Sequence, residues 1–125
     1  MSVERKIYIK LMGGLGNQMF QYAAAQVLKQ FYGGEIYAYT GILADPMFHI
    51  PRKYDLDIFQ NINLRFTTSI PNDALRISSY SEFDARVANK NPIVLAGFFQ
   101  DVRAFLYQDI KKDFYLGEYL SLIHI

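Results

Sequence analysis

Residues 12 to 25 read Met-Gly-Gly-Leu-Gly-Asn-Gln-Met-Phe-Gln-Tyr-Ala-Ala-Ala, and the reading of this stretch decides the fold. Before it, Lys6-Ile7-Tyr8-Ile9-Lys10-Leu11 mixes β-branched and aromatic residues in rough alternation, the pattern of a strand. After it, Phe20, Ala24, Val27 and Phe31 recur at helical spacing. The glycines therefore occupy a turn from a strand into a helix predicted over 17–32, with Gln18, Gln26, Lys29 and Gln30 off its apolar stripe, facing water or a cleft. Asn17 falls near the N-cap, where its side-chain oxygen can accept a backbone N–H. Three glycines in four positions let the backbone adopt positive φ and approach a ligand closely. Free N–H groups of a first helical turn favour an anion such as phosphate. The spacing is neither G-x-G-x-x-G, because Met19 stands at the third glycine position, nor a P-loop, because no Gly-Lys-Ser/Thr follows. A tight turn that needs small residues for packing explains the glycines equally well.

The rest of the chain extends this unit. Gly33-Gly34 ends the helix and Glu35-Ile36-Tyr37-Ala38-Tyr39 follows as a strand, completing a βαβ unit. Residues 40–53 form a loop punctuated by Gly41, Pro46 and Pro51 and carrying Asp45, Phe48, His49, Arg52 and Lys53. Tyr54 to Phe59 reads as a short strand or an extended aromatic anchor, with Asp55 and Asp57 outward together. A short strand is predicted over 64–70 and a helix over 81–88 with Ser81 as its cap. Ile93-Val94-Leu95-Ala96-Gly97 is an apolar run suited to a buried parallel strand. Asp101 then caps a helix over 102–113, with Val102, Phe105, Leu106 and Ile110 inward. Phe98-Phe99-Gln100 thus lies on a second strand-to-helix turn, at the same edge as the glycines. The fold class is α/β, a Rossmann-like parallel sheet, with the first, second and last of these strands as neighbours.

Composition narrows the function classes. The 125 residues are 51% hydrophobic and 16% aromatic, which describes a chain that folds around one core. A net charge of +1 provides no footprint for nucleic acid or an anionic membrane. Cysteine is absent and the two histidines, 49 and 124, are far apart, so no metal centre is expected. No apolar run approaches the length of a transmembrane helix, and Met1-Ser2-Val3-Glu4-Arg5-Lys6 is not a secretory leader, so a cytoplasmic location is expected.

Three stretches carry a more specific signal. Gly13-Gly14-Leu15-Gly16-Asn17-Gln18-Met19-Phe20-Gln21-Tyr22-Ala23 resembles the N-terminal signature of the α-1,2-fucosyltransferases, glycosyltransferase family 11. Arg52-Lys53-Tyr54-Asp55-Leu56-Asp57-Ile58-Phe59 resembles that family's R-x-Y-x-L-x-x-F segment, and Leu95-Ala96-Gly97-Phe98-Phe99-Gln100 its L-x-G-Y-F-Q segment, in the same order. The resemblance implies a GT-B-like enzyme of two Rossmann-like halves facing a cleft. Such an enzyme moves fucose from GDP-fucose to a galactose-containing glycan with inversion and without a metal or other cofactor. It places Gly13, Gly14, Leu15, Gly16, Asn17 and Gln18 at the nucleotide-sugar or substrate site, with Gln100 beside them. Members without a membrane anchor resemble the bacterial branch, whose enzymes work in the cytoplasm, often against the inner face of the membrane. Residues 1 to 120 correspond to the first half. In the family, an H-x-R-R-x-D strand holds the donor diphosphate; His124-Ile125 matches only its beginning, and residues 121–125 read either as that strand cut short or as an artefactual end. No catalytic base is evident. A different nucleotide-binding α/β enzyme and a small non-catalytic α/β module are the alternatives.

Overall fold

The computed structural model describes residues 5–43, 45, 52–106 and 108–114. Five parallel strands form one sheet in the order β3-β2-β1-β5-β4: β1 is Lys6–Lys10, β2 Glu35–Tyr39, β3 Arg65–Thr67, β4 Leu75–Ile77 and β5 Ile93–Leu95. The predicted neighbours hold, since β1 pairs in parallel with β2 on one side (Ile7 opposite Ile36) and with β5 on the other (Ile7 opposite Ile93). Among the described residues no helix is long and apolar enough to cross a membrane.

Strand β1 has no solvated face. Ile7 and Ile9 are inaccessible and Tyr8, on the other side of the sheet, is also buried, as befits a central strand of a parallel sheet. Tyr8 stacks on Tyr37 of β2 with ring centroids 5.5 Å apart. Truncating Ile9 would leave a hole in this layer, a change that ordinarily costs about 2–5 kcal/mol.

Helix α1, Leu15–Tyr32, is the hub around which the other elements pack. Ala24, Ala25 and Leu28 meet Ile7, Ile9, Ile36 and Leu95 of the sheet. Ala23 and Val27 meet Ala104 and Ile110. Tyr22 meets Leu56 and Phe59. Three consecutive alanines let all three surfaces approach closely, and alanine is also the best helix former. The helix stops at Gly33, whose φ of 78° few other residues adopt and whose N–H bonds to the Lys29 carbonyl at 2.7 Å.

Several expectations are corrected. The helix starts at Leu15 rather than Asn17: Gly14, in extended conformation, is the N-cap, makes no side-chain cap bond and accepts the Gln18 N–H at 3.0 Å. Asn17 therefore lies inside the first turn and caps nothing. Phe31 is 59% exposed, whereas Gln18 and Gln21 are buried. Ala24 and Val27 of the expected stripe are buried, but burial extends well round the helix to Gln18, Gln21, Tyr22, Ala23, Ala25 and Leu28. Residues Leu56–Ile58 form a 3-10 turn, neither a strand nor extended, but Leu56 and Phe59 are buried with Tyr54 against them, as an anchor requires. The helix expected over 81–88 divides into a 3-10 turn at Tyr80–Glu82 and a short α2 at Ala85–Ala88. The one expected over 102–113 divides into a 3-10 turn at Val102–Leu106 and α3 at Gln108–Asp113. A 3-10 turn has a tighter repeat than an α-helix, and it presents Ala104 inward while Val102 and Leu106, expected inside, are exposed.

Candidate functional site

The order of strands reverses at β1. The chain fills one side of it with β2 and β3 and the other with β4 and β5, and in open α/β sheets the carboxyl edge beside such a reversal is where ligands bind. Two loops leave that edge from adjacent strands: Leu11–Gly14 after β1 and Ala96–Gln100 after β5.

The first loop turns on Gly13, whose φ is +77°. A Cβ on Gly13 would lie 2.3 Å from the Asn17 Nδ2, so the residue must be glycine for both conformation and space. A Cβ on Gly16 would meet nothing within 4 Å, and this residue is exposed. Leu15 is half-buried and packs against the cluster of Tyr22, Leu56 and Phe59, which ties the turn to the body of the protein.

The second loop turns on Phe99, the described non-glycine residue with positive φ (54°). A phenylalanine tolerates this conformation because its ring is locked: it is buried, edge-on to Tyr80 at 5.4 Å and beside Phe83 at 6.1 Å. Just before it, Gly97 leaves room for the Ser78 carbonyl, which would sit 2.4 Å from any Cβ. The consequence is to turn Gln100 outward, and its Nε2 donates to the Asn17 Oδ1 at 2.8 Å. The loops after β1 and β5 are thus joined side chain to side chain, as the reading of a shared edge expected.

Gln18 has a different part from the one its polarity suggests. It is fully buried. Its Nε2 donates to the Gly13 carbonyl at 3.0 Å and to the Lys53 carbonyl at 2.7 Å, and its Oε1 accepts the Asp55 N–H at 2.9 Å. One turn further on, the buried Gln21 closes a two-point clasp on Met12: Oε1 accepts the Met12 N–H at 2.9 Å and Nε2 donates to the Met12 carbonyl at 3.2 Å. Burial without partners would cost each amide several kcal/mol, and these bonds offset that cost. Gln18 accordingly leaves no surface for a ligand and instead fixes the turn from below.

Arg52, which the sequence places only in a polar loop, comes to the same place. Its Nη1 lies 3.3 Å from where a Cβ on Gly14 would be, so the guanidinium rests over the glycine turn. It stands at the head of the R-x-Y-x-L segment, which is the signal that could have put it in the site. Behind it, Tyr54 is half-buried with its hydroxyl pushed up to about 12 by desolvation, and Asp57 adds to this. Next to Gln100, Asp101 accepts the Arg103 N–H at 3.0 Å in its expected capping role and pairs with the guanidinium at 2.6 Å. That hydrogen bonding holds its carboxyl down at about 2.

A hollow of about 450 Å³ is lined by Val27, Tyr80, Asp101, Arg103, Ala104 and Leu106, and none of residues 13–18 lines it. Among the described residues no three His, Asp or Glu side chains converge on a common point, and Asp55 and Asp57 gain no third partner. His49 and His124 lie outside the described residues. In comparisons with known proteins the chain matches no family model, no curated protein and no solved structure.

Proposed function

We propose that this chain is the N-terminal Rossmann-like half of a GT-B-like, GDP-fucose-dependent α-1,2-fucosyltransferase acting on a galactose-containing glycan. The observation that carries the reading is the convergence of three stretches far apart in sequence. Residues 13–23, 52–59 and 95–100, which together resemble that family, meet at one edge of the sheet. Asn17 bonds to Gln100, and Gln18 bonds to the backbone of Lys53 and Asp55.

Fucosyl transfer requires compensation of the leaving diphosphate, support for an oxocarbenium-like centre and a base for the acceptor hydroxyl. The glycine turn suits the first requirement. It admits close backbone approach, the first N–H groups of α1 have no partner within the helix, and Asn17 and Gln100 offer amides beside it. The H-x-R-R-x-D motif does not occur in the 125 residues, so the chain by itself should not transfer fucose.

The test uses the protein encoded by the whole reading frame that contains these residues. Purified, it should transfer fucose from GDP-fucose to lactose, forming a 2-linked product, without added divalent metal. If it transfers no fucose to galactosides, or if a chelator abolishes its transfer, the reading is wrong.

A further inference from the structure

The carboxamides of Asn17 and Gln100 meet through a single hydrogen bond, Gln100 Nε2 to Asn17 Oδ1 at 2.8 Å. Among the described residues neither amide has another partner, so one amino group (Asn17 Nδ2) and one carbonyl oxygen (Gln100 Oε1) stay available side by side. The pattern survives a flip of both amides, because whichever atoms form the bond, one donor and one acceptor remain. Both side chains are also aimed by their surroundings. Asn17 Nδ2 lies over Gly13, in space that a Cβ 2.3 Å away would close. Gln100 follows Phe99, whose φ of 54° is held by its buried ring against Tyr80 and Phe83. A non-glycine residue in that region is strained, and such strain collects at functional sites. Phe98, on the other side of Phe99, is 45% exposed and adds a flat apolar surface to the same loop.

This donor–acceptor pair selects its ligand. Phosphate oxygens only accept, so a phosphate has nothing to give the free carbonyl. Two hydroxyls on adjacent carbons fit, because one donates to the carbonyl while the other accepts from the amino group. We infer that Asn17 and Gln100 hold the hydroxyls on carbons 3 and 4 of the acceptor galactose, with the apolar face of the sugar on Phe98. This rests on the functional reading above, which leaves the firm hold on the donor diphosphate to the H-x-R-R-x-D strand and so gives these side chains to the acceptor. The hydroxyl on carbon 2 must stay free to receive fucose, which leaves carbons 3 and 4 as the adjacent pair. In galactose the axial hydroxyl on carbon 4 also clears one face of the ring for an aromatic side chain. Glucose, its epimer at that carbon, lacks the axial hydroxyl and the cleared face.

The experiment titrates the 125-residue chain with methyl β-galactoside and follows the side-chain amides of Asn17 and Gln100 and the Phe98 ring by NMR. These signals should shift, and methyl β-glucoside should bind roughly tenfold more weakly. Gln100→Ala and Asn17→Asp, both surface changes, should each weaken galactoside binding roughly five- to tenfold. Neither should weaken binding of the 3,4-dideoxy galactoside further, since the hydroxyls they serve are already gone, whereas Phe98→Ala should weaken both ligands alike. Equal galactoside affinity in the wild type and Gln100→Ala overturns the assignment, and so does equal affinity for galactoside and glucoside. It is also overturned if inorganic pyrophosphate shifts the two side-chain amides and galactoside does not, or if they stay unmoved at about 100 mM galactoside. The transfer assay separates this from the reading beneath it. Fucosyl transfer to lactose by the protein of the whole reading frame, with KM for lactose unchanged in Gln100→Ala, keeps the reading and discards the assignment. Galactoside binding as expected without any transfer discards the reading and keeps the sugar contact.

Discussion

Replacing Gln18 by leucine tests the central claim about how the cleft is built. The substitution keeps the volume and removes both hydrogen-bonding ends. Three bonds disappear, to Gly13, Lys53 and Asp55. At about 1 kcal/mol net each they amount to roughly 3 kcal/mol. Leaving the Asp55 N–H without a partner adds to that, and the apolar burial of leucine takes some back. Gly13 and Asp55 are half-buried and Lys53 is exposed, so water can reach part of what is vacated. The expected loss is therefore about 2–4 kcal/mol, a large fraction of the stability of a domain this size. Urea unfolding followed by circular dichroism measures it, as a lower midpoint at unchanged slope. Gln18→Glu sharpens the test. The carboxylate still accepts the Asp55 N–H but faces two carbonyl oxygens, which raises its folded pKa above the unfolded value. Stability is then present below the unfolded carboxyl pKa and is lost as pH rises through the folded one. A Gln18→Leu loss below about 1 kcal/mol, the level of an exposed polar change, would refute the claim that this amide holds the turn together.

Other outcomes follow from the same geometry. Gly97→Ala should destabilise the chain by roughly 1–3 kcal/mol, because its Cβ meets the Ser78 carbonyl at 2.4 Å, whereas Gly16→Ala should be neutral or slightly stabilising, with nothing within 4 Å; parallel thermal melts compare the two. Asn17→Ala and Asn17→Asp should both keep the melting temperature, since Asn17 is not the cap and its bond to the exposed Gln100 is a surface contact; if the proposed function holds, Asn17→Asp should also lose most fucosyl transfer by the protein of the whole reading frame. For Asp101, held at about 2 by Arg103, its contribution to stability should be present above the unfolded carboxyl pKa and fade as pH falls through about 2; carbon-detected NMR of its carboxyl in the wild type and in Arg103→Ala reads this directly, and an unshifted titration in the wild type would contradict it.

Much of the fold is legible in the sequence because the central strands announce themselves. Lys6–Lys10, Glu35–Tyr39 and Ile93–Leu95 are apolar on a scale that only a covered sheet explains, and glycines mark the turn after the first. Strand β4 is not legible. Leu75-Arg76-Ile77 is three residues long with a charge in its middle, and its strand character comes from pairing with β5 rather than from its own pattern. The stripe of α1 misleads for a related reason. Aromatic Phe31 looks like core and amide Gln18 looks like surface, yet the amide's partners lie at Lys53 and Asp55, beyond the reach of any local periodicity. The i, i+3 spacing of Gln18 and Gln21 on the line of Tyr22, Ala25 and Leu28 was the available clue. Arg52 was hidden because its meeting with Gly14 depends on the path of the chain through the intervening loop.

The strand order also constrains how this chain can be made. Strand β1 is synthesised more than eighty residues before β5, yet one of its two flanks is completed only by β5, where Ile7 meets Ile93. A nascent chain can form β1, α1 and β2 early and must then hold the open flank of its most apolar strand while the rest is translated. Long-range parallel pairing of this kind is slow and leaves a sticky edge exposed in the interim. Pulse-labelled hydrogen exchange during refolding should find β2 amides protected ahead of those of β4. A chaperone that shields apolar segments should bind chains stalled before residue 93 and release them once β5 has been made.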